Sequence, residues 1–478
     1  MPTLDLSTLL MILFYIGVGL YAWTRIGINF SATSVLFTLM YLLHGPAYLY
    51  YTRVWGIQAY TDVGNANARF FWTILSAAPG IDVIGTLDVA LVLTFCCLAA
   101  GILFADVLLG SSHYYLTRAL HHWRHAPIAA SGYTTRCVVW LGVAGIALVL
   151  VPFAIRDHQI TKVYEYFTSN LSEFGKIRMR RELGGSDLYA YDLALSTLLP
   201  FLAFALCAIV LFRAKTSWLI IAIIFVGLVI LAKAATLSKA PPAVFLLQLL
   251  ILAYASRSLQ LSGLRLIFLS AAAVTVFIIM ALVAIPELGN VGAALNFLFY
   301  RAFMIPNESL LEYFSAIPYV LPHIWGAGIS GLSWLIGKST EMPTFWLVGE
   351  AHRGVLGSTT TVMLSGDAWA NFGWAGVVIA PFIAGFTVRY IDVRLIIQRG
   401  KSIATLAGLS LAHYGVFAAL TTALQTAMLT GGLLLVLPLV HLIEGRVRRR
   451  EAESLPLKQQ THLVSETLAD TSINGDPS

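Results

Sequence analysis

Residues 86–110 read TLDVALVLTFCCLAAGILFADVLLG. An α-helix needs about 20 consecutive apolar residues to cross the hydrocarbon core of a bilayer. This run is long enough, and its middle carries no charge. It is one of eleven such stretches: Leu6–Trp23, Ala32–Tyr51, Thr86–Gly110, Thr135–Ile155, Tyr189–Phe212, Trp218–Leu237, Pro241–Ser256, Leu264–Ile285, Asn371–Tyr390, Ile403–Ala419 and Leu424–Glu444. The seventh is short, and its Pro241-Pro242 start suits the first turn of a helix.

Composition agrees. Of 478 residues 58% are hydrophobic and only 11% charged, against about 25% charged in a soluble domain. So few charges cannot make a water-facing shell. The chain reads as an all-α, polytopic integral membrane protein with about eleven transmembrane helices. The polytopic domain is expected over 1–444, with outer loops at 156–188 and 287–370 and a disordered cytoplasmic tail at 445–478. Leu6–Trp23 lacks a basic leader and a small-residue cleavage site, so it reads as a retained first helix. Cys96, Cys97, Cys137 and Cys207 all lie in apolar runs. They read as small hydrophobes, with neither disulfide nor metal spacing. The net charge of +6 is scattered over short loops, so it implies no nucleic-acid partner.

Short cytoplasmic loops favour Lys and Arg. With the C-terminus inside, the inner segments hold Arg25; Arg118, Arg124 and Arg136; Arg213 and Lys215; Arg257 and Arg265; Arg389, Arg394, Arg399 and Lys401; and Arg446–Arg450 with Lys458. That is more than half of the basic residues, and it favours an outside N-terminus. The Arg446–Arg450 cluster reads as an anchor on anionic lipid.

Two long outer loops carry the polar chemistry. The first contains Lys176-Ile-Arg-Met-Arg-Arg-Glu-Leu-Gly-Gly185. Arg178, Arg180 and Arg181 before a Gly pair suit an anion cradle, because guanidinium groups fork onto phosphate oxygens. An amphipathic helix on lipid headgroups suits the same residues. The second, Glu287 to Asp367, is long and rich in Trp, Tyr, Phe and Pro; loops of that length are usually functional or disordered, and this composition argues for order. Arg301 lies in an aromatic setting near the membrane surface, where a charge is paired or functional. On a continuous helix Glu308 and Glu312 share its face, although Pro306 interrupts. Leu321–Gly337 is apolar and Gly-rich, and suits a re-entrant segment. In Gly349-Glu350-Ala-His352-Arg353-Gly354, His352 has the chemistry of a base. Asp367 is a candidate catalytic group or simply a helix N-cap. Lys233 and Lys239 flank an outer hairpin, where Lys239 before Pro241 joins an anion site or snorkels. His44 is intramembrane or interfacial. No Walker A, GxGxxG, HExxH or DxD pattern occurs, so no metal or cofactor is expected.

Three segments resemble the bacterial oligosaccharide repeat-unit polymerases, the O-antigen polymerase (Wzy-type) family, within a likeness covering roughly Phe30 to Glu444. Ser238-Lys239-Ala-Pro-Pro resembles the small-polar hairpin that opens a middle span in that family. Tyr300-Arg301…Pro306…Tyr313-Phe314…Ile317-Pro318 is similar to its Arg-Pro-Tyr-Phe region. Gly366-Asp367-Ala-Trp-Ala-Asn371-Phe-Gly373-Trp resembles the point where its large outer loop re-enters the membrane. The family's Arg-x10-Gly pattern is absent: Tyr189 follows Arg178 and Glu312 follows Arg301 at that spacing.

The resemblance implies a GT-C-like membrane glycosyltransferase in the bacterial inner membrane, building O-antigen or exopolysaccharide. Its substrate would be an undecaprenyl-diphosphate-linked oligosaccharide at the periplasmic face. A chain-length regulator and a flippase would be its partners. Arg301 and Arg353 would hold the diphosphate, supported by Arg178, Arg180, Arg181 and Lys239. His352, Glu350 or Asp367 would orient or deprotonate the acceptor. Trp325, Trp334, Trp346 and Trp369 would pack against sugar faces. An O-antigen ligase shares this layout and stays open. A transporter or flippase is the reading from another class, but it would place ionisable groups at midspan and show internal repeats.

Overall fold

The fold is that of a computed structural model. It describes residues 5–55, 74–76, 78–129, 132–155, 165, 193–213, 216–234, 240–261, 263, 270–271, 274–275, 277–279, 281–282, 289–329, 333, 337, 342–354 and 359–454. The described residues are helical apart from turns and two isolated bridges, Asn29 with Gln260 and Ala129 with Ser402. In chain order the helices are α1 Leu6–Tyr21, α2 Ala32–His44, α3 Pro46–Leu49, α4 Val83–Leu108, α5 His113–His125, α6 Gly132–Ile155, α7 Leu199–Arg213, α8 Thr216–Ala234, α9 Ala240–Ala255, α10 Val291–Phe299, α11 Ile305–Ala316, α12 Thr344–Arg353, α13 Leu364–Asp392, α14 Ile403–Thr421, α15 Leu424–Met428 and α16 Leu433–Ser454.

Seven helical stretches among the described residues are long and apolar enough to cross a membrane: Leu6–Ile26, Val83–Leu108, Ala194–Phe212, Thr216–Lys233, Leu364–Arg399, Ile403–Thr421 and Leu424–Glu444. Each overlaps one of the eleven expected spans. Thr134–Ala147 and Pro241–Ala255 are apolar but shorter. The expected span Ala32–Tyr51 is broken at Gly45 (φ −105°, ψ −98°), where Pro46 opens the next helix. Most of Leu264–Ile285 and of the 445–478 tail lies outside the described residues; α16 carries the chain on to Ser454.

α4 and α13 form the most extensive helix pair, and glycine is what allows it. A Cβ on Gly101 would stand 2.1 Å from the Phe382 carbonyl oxygen, and one on Gly385 would stand 2.2 Å from that of Leu98. Small residues let helix backbones approach closely, which is how dispersion holds helices together where lipid removes the hydrophobic drive. Gly101→Leu or Gly385→Leu should therefore abolish the monodisperse peak of the detergent-extracted protein in size-exclusion chromatography, because the neighbouring backbone cannot move aside.

The ends of this pair are pinned by charge. Arg389 meets Asp106 at 2.7 and 3.0 Å. At the opposite end Arg53 and Tyr48 both reach Asp88 at 2.6 Å. Several of the segments expected inside gather at the Arg389 end: α5 packs on the turn after α13, Lys401 donates to the Trp123 carbonyl, the Phe30 N–H donates to the Leu259 carbonyl, and Arg399 meets Glu444 at 2.7 Å.

α13 is not one straight rod. Gly373 takes φ 57°, ψ −137°. Ser365 contacts Thr94 at 3.0 Å, while Phe382 lies over Gly101. A helix rises about 10 Å from Thr94 to Gly101, but a straight helix would rise about 25 Å from Ser365 to Phe382. The chain must therefore double back at Gly373, and Gly376 lies against the Ala368 carbonyl with no room for a Cβ.

Candidate functional site

α10 and α11 are joined by a π turn, Tyr300–Met304, into one helical path from Val291 to Ala316. Pro306 sits in the first turn of α11. Proline lacks an N–H and crowds the preceding carbonyl, and the wider π turn just before it absorbs both defects. The chain thus passes Pro306 without breaking. A π turn holds an extra residue, about 100° of rotation. Arg301 is thereby turned off the face of Glu308 and Glu312: it is exposed and lies over the Phe297 ring, 5.3 Å from its centre.

Every residue from Asn307 to Ala316 is buried, although five of them are polar. Buried polar groups need partners, and α12 and Thr360 supply several. The Glu312 side chain is 0% exposed, and its Oε1 lies 2.9 Å from Arg353 Nη2. Thr360 donates to its other oxygen. Arg353 Nη2 also stands 3.7 Å from Glu308 Oε1, and the Tyr300 hydroxyl donates to Glu308 Oε2 at 2.8 Å. The arginine side chain is 35% exposed, so it reaches outward while both carboxylates stay in.

Electrostatics separates the members. None of α10, α11 and α12 is among the candidate spans. Burial pushes the Glu308 carboxyl up from 4.5 to about 7; the Tyr300 hydrogen bond opposes this, the Glu312 charge adds to it, and Arg353 opposes it. Burial holds His352 below its ordinary value, against the Glu312 carbonyl and carboxylate, which raise it. Its Nε2 lies 2.9 Å from the Glu312 carbonyl oxygen and 3.1 Å from Ser315 Oγ. A carbonyl only accepts, so Nε2 carries the proton and Nδ1 keeps its lone pair.

The site residues expected from sequence divide as follows. Arg353 meets both glutamate carboxylates, and His352 meets the Glu312 backbone carbonyl. Glu350 is half-buried two residues before His352, about 200° around the same helix. Asp367 is not an N-cap, a place held by Met363; it accepts from Asn371 Nδ2 at 3.2 Å inside the folded-back turn. Arg178, Arg180, Arg181 and Lys239 lie outside the described residues. Glu308, Glu312, Tyr300 and Thr360 were not singled out for chemistry. The available signal was the pair of acids one turn apart in an apolar-aromatic run, with the Tyr300 and Thr360 contacts invisible in sequence.

Next to this cluster lies an aromatic shelf. Phe314 stacks on Trp369 at 4.6 Å, Trp369 meets His323 and Trp374 edge-on at 5.4 and 5.1 Å, and His323 meets Trp325 at 5.8 Å. Trp325 and Trp374 are exposed. Trp369 Nε1 donates to the Ile317 carbonyl, tying the shelf to the end of α11. Among the described residues no three His, Cys, Asp or Glu side chains gather as a metal site. Comparison with known proteins finds no matching family model, curated protein or solved structure.

Proposed function

We propose that this protein is a membrane glycosyltransferase that uses a lipid-diphosphate-linked glycan as donor, and that it polymerises undecaprenyl-linked repeat units at the outer face of a bacterial inner membrane. The observation that carries the reading is the buried Glu308–Glu312 pair bridged by a half-exposed Arg353, set beside exposed tryptophans at one end of an apolar helical bundle.

The chemistry needs three things. The acceptor sugar hydroxyl must lose its proton as its oxygen bonds to the donor's anomeric carbon. The bond from that carbon to the diphosphate oxygen must break, with the electron pair leaving on the diphosphate. The sugars must be held. A carboxylate with a pKa near 7 is matched to take the proton at neutral pH, and Glu308 has that value. A guanidinium forks onto phosphate oxygens and stabilises charge that develops on them; Arg353 extends toward solvent from its carboxylate anchor. Glu312 and Thr360 fix that arginine, and the exposed Trp325 and Trp374 offer faces on which a glycan can pack. In this scheme His352 orients the acceptor through Nδ1, and Arg301 stands at the rim.

The Tyr300 hydrogen bond lowers the Glu308 pKa. Tyr300→Phe should therefore move the acid limb of the transfer rate to higher pH, read as product formed per minute in membranes across pH 5–9. The reading itself is tested by gel profiling of surface polysaccharide and lipid-linked intermediates from cells lacking the protein. Loss of long chains with single repeat units still reaching the surface is the expected outcome. Long lipid-linked chains that never reach their acceptor would make it a ligase. Repeat units trapped on the inner face would make it a flippase and sink the catalytic scheme.

A further inference from the structure

Two cavities lie at the Arg389 end of the bundle, far along α4 and α13 from Glu308. One, of about 420 Å³, is lined by Asn29, His113, Thr117, Arg124, Ser258 and Gln260 among others. The second, of about 300 Å³, includes Arg25, Thr33, Asp106, Ser111, His113 and Arg389. His113 and Ile26 line both, so the two are chambers of one groove.

The groove is polar and cationic. Asp106 is neutralised by Arg389 at 2.7 Å, which leaves the exposed guanidiniums of Arg25 and Arg124, one in each chamber, as the net charge. Asp392 does not offset them. It is fully buried and accepts from the backbone of Ala32 and Thr33 at 2.9 and 2.8 Å, so the α2 N-terminus already holds its own anion. His113 contacts Thr117 through Nε2 at 3.3 Å. The Thr117 hydroxyl donates to the His113 carbonyl at 2.9 Å, so Nε2 carries the proton and Nδ1 is an acceptor. That Nδ1 is buried and has no hydrogen-bond partner among the described residues. A buried acceptor left unpaired is costly and marks a missing donor, such as a ligand hydroxyl.

The depth of the groove is set by its neighbours. α5 is amphipathic: Leu116, Leu120 and Trp123 pack inward, and Trp123 Nε1 donates to the Ala255 carbonyl at 2.8 Å. Tyr114 and Tyr115, beside His113, are 68% and 52% exposed, and Trp23, two residues before Arg25, is 70% exposed. Exposed Tyr and Trp at the ends of spans sit at the headgroup level of a bilayer. The mouth of the groove therefore opens where lipid phosphates lie.

We infer that this groove binds a phosphate-bearing anion, the headgroup of an acidic phospholipid, between Arg25 and Arg124 with His113 at its floor. A phosphodiester matches the fork of each guanidinium, and its glycerol hydroxyls match the Ser258, Gln260 and Thr117 side chains. The site is separate from the glutamate cluster and does not depend on the transferase reading.

The test uses the full-length protein reconstituted in phosphatidylcholine vesicles doped with phosphatidylglycerol, then extracted in detergent and weighed by native mass spectrometry. The wild type should retain one phosphatidylglycerol. The Arg25→Gln/Arg124→Gln double variant should retain it about tenfold less, while Arg118→Gln, on the same helix outside the groove, retains it fully. All three side chains are exposed, so folding does not rest on them; a common size-exclusion profile checks this. A parallel arm measures thermal protection by inorganic phosphate alone. Protection that the double variant loses, without lipid retention, would keep the anion site and assign it to a soluble phosphate. Equal lipid retention and equal phosphate response in wild type and double variant would overturn the inference. So would an equal loss in Arg118→Gln, which would reduce the effect to general surface charge.

Discussion

Glu308→Gln should lower glycan transfer by about 100- to 10,000-fold, the range expected for loss of a positioned general base, while the protein still accumulates in the membrane. The argument rests on charge and size. Glutamine keeps the shape and still accepts from Tyr300 at the position of Oε2. It cannot take a proton. The wild-type rate should rise with pH and level off above about 7, where Glu308 is ionised; the residual rate of the variant should lack that limb. Stability should move the other way. The folded pKa of Glu308 is raised, so its favourable contribution is complete below about 4.5 and is lost as pH rises through about 7. At pH 8 the buried ionised carboxylate is a cost that glutamine does not carry. The variant should therefore melt no lower than wild type at pH 8. A melting point well below wild type, or activity within threefold of it, would remove Glu308 from the role of base.

Arg353→Ala should lower transfer by about 100- to 1,000-fold, the usual loss for one preorganised donor at a developing charge, and should also destabilise the protein. Its partner Glu312 is wholly buried. Removing the cation leaves that carboxylate with Thr360 as its remaining side-chain hydrogen bond among the described residues. A buried charge stripped of its partner typically costs about 3–5 kcal/mol, and the solvent that reaches Arg353 reduces this figure. Adding Glu312→Gln removes the stranded charge. The double variant should regain most of the lost melting temperature and none of the activity, a non-additivity expected of residues in direct contact. Recovery of activity together with stability would mean that Arg353 holds the fold and does not touch the donor.

The membrane class of this chain was legible because it depends on counts and run lengths. Apolar runs near 20 residues with charge-free middles need no tertiary information, and the seven long apolar helices fall on the runs that sequence marks. The grouping of Arg25, α5, Arg257 and the Arg389–Lys401 segment at one end was also legible, since the same bias that distributes Lys and Arg among loops assigns those loops to one face. Breaks within runs were harder. Gly45-Pro46 and Gly373 sit inside apolar stretches, and their effect depends on backbone angles that composition does not specify.

The partners of the candidate site were decided by tertiary structure alone. Sequence offered Arg301 to Glu308 and Glu312 by counting turns from it, and counting assumes 3.6 residues per turn throughout. One π turn at Tyr300–Met304 cancels that assumption and gives both glutamates to Arg353, more than forty positions away. The same holds for His352, whose nearest groups, Ser315 and the Glu312 carbonyl, come from another helix. Sequence determined that this chain must lie in a membrane and which end carries its basic loops, because those follow from transfer free energies summed over local runs. Which carboxylate is buried enough to hold a proton near neutrality follows from packing across helices, and only the fold sets that.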